Sequence, residues 1–265
     1  MNEPDYKEIN RKSWNRKTEV HITSVFYNNE EFIKGKSSLN PVELELLGDI
    51  RGKKVLHLQC HFGQDTISMA RLGADVTGVD LSDQAILRAK ELAVKTSQAA
   101  HFVNCDIYDL PNHLDEKFDI VFTSYGTIGW LPDLNRWGEI VNRYLKPKGK
   151  FLIVEFHPFV WMYDDSFDHI KYPYSSNEPI HESEVGTYAN ADHQENFDYV
   201  MWNHGLSHVV NSLIKNGLTI NLMDEYDYSP YDIFEGSIER APNQFVIEKF
   251  GSKVPLVYSI VATKP

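Results

Sequence analysis

Two stretches of the chain carry residues whose types and spacing could do chemistry. The first is HLQCHFGQD, His57 to Asp65, where a short apolar run gives way to a turn and then to a helical pattern. The second is Asp80, which closes the run DVTGVD 23 residues after His57. The first stretch offers the amide of Gln59, the imidazoles of His57 and His61, the thiol of Cys60, and Gly63, where the backbone can approach a ligand closely. That set suits a ligand with an ammonium and a carboxylate, which an amide, an imidazole N–H and main-chain carbonyls can satisfy. It suits a pyrophosphate poorly, because phosphates need several converging N–H groups and glycines that let the backbone come near. Asp80 is placed to accept hydrogen bonds from both hydroxyls of a ribose; the alternative is an acid at the start of the next helix. Cys60 reads as a small packed hydrophobe rather than a nucleophile. Cys60 with His57 and His61 lacks zinc-ligand spacing, and Asp164, Asp165, Asp168 and His169 read as a solvated loop, so no metal is expected.

These residues need elements to hold them. The runs 53–58, 75–79, 101–104, 118–123 and 151–156 read as strands, and 64–72, 83–96 and 133–145 as the helices between them. Ser82 is set to cap the second of those helices, and Lys146-Pro147-Lys148-Gly149 to end the third. Strand and helix alternating in this way imply right-handed crossovers and a parallel sheet covered on both faces. Ligands of such sheets bind at the carboxyl ends of the strands, so the His57–Gly63 turn, Asp80, Asp106 and Ser124–Gly126 are expected to converge. After 156 the pattern breaks into an aromatic segment. A helix resumes at 205–216 and strands at 218–226 and 256–263, with an aromatic connection too long to be a neutral loop between them.

Bulk properties narrow the partners. The chain has 265 residues, enough for one large domain with an insertion, and 42% are hydrophobic, enough for a well-filled core. A net charge of −12 argues against a broad face for nucleic-acid phosphates. No run approaches a membrane span, and the polar N-terminus has no signal-peptide pattern, so no membrane partner is expected. Two cysteines make no disulfide framework and point to a reducing, cytoplasmic setting.

The order and spacing of GADVTGVDLS, FVNCDIYDLP, FDIVFTSYGTIGWLPDL and YLKPKGKFLIVEFHP resemble the class I S-adenosylmethionine-dependent methyltransferases. HLQCHFGQDT resembles a variant first loop from a bacterial branch of that family. The usual loop is [D/E]-x-G-x-G-x-G; the matching positions here are His57, Gln59, His61 and Gly63, so three of four differ. The resemblance implies an α/β fold: a Rossmann-like, doubly wound, seven-stranded, mostly parallel sheet with helices on both faces and an inserted cap after strand five. It implies S-adenosyl-L-methionine as cofactor and division into an N-terminal helical lid (1–40), a cofactor-binding core (41–157), a cap (158–204) and a closing helix and strand pair (205–265). It implies that Leu81 and Ser82 lie against the adenine or ribose, that Asp106 takes the adenine amino group with Ile107 against the ring, and that Ser124, Tyr125 and Gly126 face the methyl donor. Trp14, on a polar N-terminal helix, is either part of a lid or an anchor for that helix, and Tyr6, His21, Phe26 and Tyr27 are expected beside it.

Methyl transfer is an in-line displacement that depends mainly on positioning and exclusion of water, with a base needed only when the acceptor loses a proton. His157, at the end of strand five, is the expected base, with Tyr125 as a second catalytic candidate and Glu155 and His204 behind them. The cap aromatics Trp161, Tyr163, Tyr172, Tyr174, Tyr188, Trp202, Tyr228 and Tyr231 either line a site for a small-molecule acceptor or fill a cap core. A non-catalytic binder of the same cofactor and a nicotinamide-dependent oxidoreductase are the competing readings.

Overall fold

The computed structural model describes residues 3–265, with side chains from Tyr6 onward; Met1 and Asn2 of the expected 1–40 lid lie outside the described residues. The chain opens with three helices, α1 (Glu3–His21), α2 (Asn29–Ile33) and α3 (Pro41–Leu47). A regular alternation follows: β1 (Lys54–Leu58), α4 (Gln64–Arg71), β2 (Asp75–Asp80), α5 (Asp83–Lys95), β3 (Ala100–Asn104), β4 (Phe118–Ser124), α6 (Leu134–Tyr144) and β5 (Leu145–Phe156). The rest comprises a hairpin of β6 (Ile180–Val185) and β7 (Asn196–Met201), then α7 (Leu206–Lys215) and β8 (Thr219–Tyr226). A second hairpin, β9 (Ser237–Ala241) and β10 (Gln244–Ile247), precedes the last strand, β11 (Val257–Thr263).

Seven strands form one sheet in the order β3-β2-β1-β4-β5-β11-β8, and β11 runs antiparallel to both of its neighbours. The sheet is the mostly parallel, seven-stranded α/β arrangement the sequence implies. Its central strands are buried on both faces, which is why they read as continuous apolar runs such as Val55-Leu56 and Phe122. One face packs Trp137, Val141, Val209 and Leu213 of α6 and α7, and the other packs Val42, Leu47 and Met69 of α3 and α4. Strand order reverses between β1 and β4, and this crevice at their carboxyl ends is the place for a ligand.

Three expectations needed adjusting. Lys146–Gly149 does not separate a helix from a strand: β5 already begins at Leu145, which pairs with Phe118, and a register shift absorbs the extra residues before Lys150 meets Ile120. The segment after 156 contains the regular β6–β7 hairpin, with Ile180 opposite Met201 and Val185 opposite Asn196. The connection after 226 contains the β9–β10 hairpin, turned at Pro242-Asn243 with Asn243 left-handed (φ 57°).

The polar helix α1 lies between α5 and β7, held by specific pairs rather than by an apolar stripe. Asn10 both donates to Val200 O and accepts from Val200 N, at 2.8 Å each. Arg11 and Asn15 donate to Asp83 on α5, also at 2.8 Å each. Lys17, almost fully buried, donates to Glu184 of β6 at 2.5 Å with its ammonium 4.8 Å from the Tyr199 ring centroid.

Candidate functional site

After β1 the backbone turns left-handed at alternate residues: Gln59 (φ 55°), His61 (φ 50°) and Gly63 (φ 80°). These are the positions where the family resemblance places glycines. The glycine path is therefore kept although two of its residues carry side chains, at a cost of about 1–2 kcal/mol for each. Side-chain and main-chain bonds offset that cost. Gln59 Nε2 donates to Thr127 O (2.7 Å), Cys60 N to Val79 O (2.9 Å) and His61 N to Asp80 Oδ2 (2.8 Å). Gly63 is a glycine for steric reasons as well, since a Cβ there would sit 2.8 Å from Phe102 Cε1 and 3.0 Å from Ala89 Cβ.

His61 Nδ1 accepts from Phe62 N at 2.7 Å, so the proton of its neutral ring is on Nε2, which faces His21 Nδ1 at 2.9 Å. His21 then carries its own proton on Nε2, a buried atom without a hydrogen-bond partner among the described residues. Burial holds both imidazoles neutral, at about 2 for His21 and about 3 for His61. His57 is fixed by Thr66 Oγ1 at 2.8 Å, lies against Phe122, and is held by burial at about 3. Burial pushes the Cys60 thiol well above its usual range, which leaves it a packed group rather than a nucleophile.

The other strand ends converge on the same crevice. Asp80 ends β2, and its two oxygens accept from His61 N and Ser82 N at 2.8 Å each. Burial raises it to about 6, and no ion pair reaches it among the described residues. Each oxygen keeps acceptor capacity toward the crevice. Leu81, Asp106, Ile107, Ser124, Tyr125 and Gly126 line the crevice as expected from their positions. Ser82 does not. Its hydroxyl accepts from Ala85 N as the α5 cap and donates to Asn15 Oδ1 (2.7 Å), and its side chain is fully buried away from the crevice.

His157 is the second correction. Its Nε2 pairs with Glu225 of β8 at 2.9 Å, its Nδ1 accepts from Phe159 N at 3.1 Å, and it is absent from the crevice wall. The expected base is thus turned toward the far edge of the sheet. Glu155 is occupied too: it accepts from the amides of Gly126, Thr127, Ile128 and Phe156 and from the Thr127 hydroxyl, so it anchors the loop after β4. His204 reaches the wall but is bonded to Leu131 O at 2.7 Å and held by burial at about 4. Tyr125, left-handed at φ 40°, turns its buried hydroxyl toward the Glu43 carboxyl behind the wall.

The crevice is partly covered from above. Trp14 of α1 stands edge-on to Trp130 and His61, at 5.3 and 5.2 Å between ring centroids. Tyr27 Oη meets Tyr188 Oη at 2.6 Å, joining the N-terminal segment to the turn of the β6–β7 hairpin. The cavity, still partly open to solvent, measures about 1100 Å³. A single small ligand occupies a site of roughly 300–1,000 Å³, so there is room for two. Trp161, Tyr163, Tyr172, Tyr188, Trp202 and Tyr231 line it, whereas Tyr174 and Tyr228 do not. Sequence reasoning missed Asp65, Lys17, Trp130 and Glu184 on this wall. Only Asp65 gave a local signal, an acid in the first turn of the helix after the loop. Among the described residues no group of three His, Cys, Asp or Glu side chains is placed to hold a metal ion.

Residues 55–149 match the family described as "Methyltransferase domain". An uncharacterized methyltransferase of Synechocystis sp. is 37% identical over 133 residues, 49% of this chain and 60% of that protein. A ubiquinone biosynthesis O-methyltransferase of Xanthomonas oryzae is 32% identical over 119 residues, 44% of this chain and 49% of that protein. The chain thus spans about half to three-fifths of the length of these relatives. Among solved structures, an S-adenosylmethionine-dependent methyltransferase from Mesorhizobium loti superposes with a TM-score of 0.57 at 18% identity, covering 88% of this chain and all of that one. A putative one from Listeria monocytogenes gives 0.58 at 20% identity, covering 84% of this chain and 96% of that one. Residues 55–149 are thus similar to that methyltransferase-domain family, and the seven-stranded sheet has the fold of the solved S-adenosylmethionine-dependent methyltransferases.

Proposed function

We propose that this chain transfers a methyl group from S-adenosyl-L-methionine to a small-molecule acceptor. The observation that carries the reading is Asp80. A half-buried carboxylate on the crevice wall, without a countercharge among the described residues and braced by two amides of the surrounding loops, keeps its remaining lone pairs for a ribose. A fit test comes from Gln59. Its Oε1 is buried on the cavity wall without a partner among the described residues, as an acceptor for the ammonium of an amino-acid end would be. Leu81 and Ile107 would flank the adenine, Asp106 would take its amino group, and the turn at Gln59–Gly63 would hold the amino-acid end. Bound there, the cofactor would supply an electrophilic methyl carbon on a sulfonium. The chain's task is then to orient the acceptor and exclude water.

The N-terminal segment to residue 40 serves as a lid, with Trp14 as both cover and anchor, and 158–204 as the acceptor-side cap. The O-methyltransferase relatives support a small-molecule acceptor. No helix among the described residues is long and apolar enough to cross a membrane. The two buried free thiols, Cys60 and Cys105, support a reducing, cytoplasmic setting. Parallel calorimetric titrations with S-adenosylhomocysteine and with NAD test the reading. Saturable binding of the first without the second is expected, and preference for the dinucleotide would overturn it.

A further inference from the structure

Four acids stand around the crevice: Glu43 and Glu155, which are buried, and Asp65 and Asp80, which are half-buried on its wall. Three have assignments. Glu155 is saturated by its loop, Asp80 faces the proposed ribose, and Glu43 lies behind the wall with Asn40 Nδ2 donating to it at 3.2 Å. Asp65 differs from all of them. It lines the cavity, and its only hydrogen bonds among the described residues come from two serine hydroxyls: Ser38 Oγ to Oδ1 at 2.6 Å and Ser124 Oγ to Oδ2 at 3.3 Å. A carboxylate offers about four acceptor positions, so Asp65 has capacity left over. No cation pairs with it among the described residues, and the first turn of α4 supplies only a partial positive charge.

Its position matters as much as its chemistry. Ser124 is the last residue of β4, at the point where the strand order reverses, and it joins Asp65 to the segment that continues into Tyr125. Tyr125 is edge-on to Tyr231 at 5.0 Å, and Asn40 Nδ2 donates to Tyr231 Oη at 2.8 Å. The Tyr125 ring is therefore on an aromatic wall beside this acid, with its hydroxyl turned toward Glu43.

We propose that Asp65 faces the transferring methyl group and accepts the proton of an acceptor whose nucleophile is an O–H or N–H. This rests on the cofactor reading above. In the step, the X–H proton passes to an Asp65 oxygen and the freed pair on X forms the X–CH3 bond. The C–S pair returns to sulfur, which becomes a neutral thioether as Asp65 becomes a carboxylic acid. That proton leaves to water with the product. Burial raises the Asp65 carboxyl, in the direction that makes it a better base than an exposed aspartate.

The test needs no acceptor. S-adenosylhomocysteine is neutral where the methyl would be, whereas sinefungin carries an ammonium there. The full-length protein should bind sinefungin about tenfold more tightly than S-adenosylhomocysteine. Asp65→Asn should keep S-adenosylhomocysteine affinity and lose that preference. In the unaltered protein the preference should also fall toward unity as the pH is lowered and Asp65, its carboxyl raised by burial, takes up a proton, so the proposal stays testable even if the variant folds poorly. Absence of any preference in the unaltered protein, or a preference that survives both Asp65→Asn and low pH, would overturn the role of Asp65. Failure of both ligands to bind the unaltered protein would instead overturn the cofactor reading, and this proposal with it.

Discussion

The two ends of the cavity are built from different material. The Asp80 end is made of strand termini and tight turns, and its groups are set by backbone: left-handed Gln59 and His61, and Asp80 held by two amides. The Tyr125 end is made of side chains from separate segments that meet around it: Asn40 after α2, Asp65 on α4, Trp161 after β5 and Tyr231 after β8. A shared cofactor can be held by a scaffold that the sheet fixes. An acceptor is selected by insertions that pack on one another and can change without disturbing the sheet.

Substitutions should separate the two ends. The largest effect is expected from Gly63→Ala, which meets both a left-handed backbone and Phe102 at 2.8 Å. It should cost about 2–4 kcal/mol of stability, read as a lower melting temperature, and weaken S-adenosylhomocysteine binding. A loss well below that would mean Phe102 yields freely.

Acid comes next. His21, His57, His61 and His204 are held at about 2, 3, 3 and 4, whereas unfolded histidine titrates near 6.5. Below about 6.5 the unfolded chain takes up protons that the folded chain refuses, so these four lower stability as the pH falls. Glu43 at about 7 and Asp80 at about 6 work the other way, because the folded chain is protonated first there, and burial raises Asp65 and Glu155 in the same direction. The histidines prevail, with a net loss on the order of 2 kcal/mol between about pH 7 and about pH 5.5 in denaturant titrations. Stability that rises on acidification would show that the carboxylates dominate.

Smaller effects sharpen the contrast. Tyr231→Phe removes a hydroxyl bonded to Asn40 at the far end and should leave S-adenosylhomocysteine affinity within about twofold. A tenfold loss would mean the two ends are coupled. Gln59→Gly should change stability by less than about 1 kcal/mol, since relief of the left-handed backbone offsets loss of the bond to Thr127 O.

The same division explains what the sequence could reveal. The five core strands and the convergence of His57–Gly63, Asp80, Asp106 and Ser124–Gly126 follow from local patterns and one rule about strand ends. Ser82 was legible as a helix cap, and that use of its hydroxyl excludes the ligand contact also expected of it. His157 misled because its partner, Glu225, comes from a strand 68 residues away. The β6 strand was hidden because Glu182, Ser183 and Glu184 give it no apolar alternation, and its order comes from cross-strand pairs such as Ser183 with Asp198. Asp65 was visible as an acid, but its meaning depends on Ser38 and Ser124, which only the fold brings to it.

The central claim is that Asp80 holds the ribose of S-adenosylmethionine at the end of β2. It is tested most directly by calorimetric titration of the unaltered protein and Asp80→Asn with S-adenosylhomocysteine, alongside melting curves for both. The account predicts binding about 10- to 100-fold weaker in the variant at nearly unchanged melting temperature, and in the unaltered protein an affinity that declines below about pH 6 as Asp80 is protonated. Equal affinity in the two proteins would contradict it.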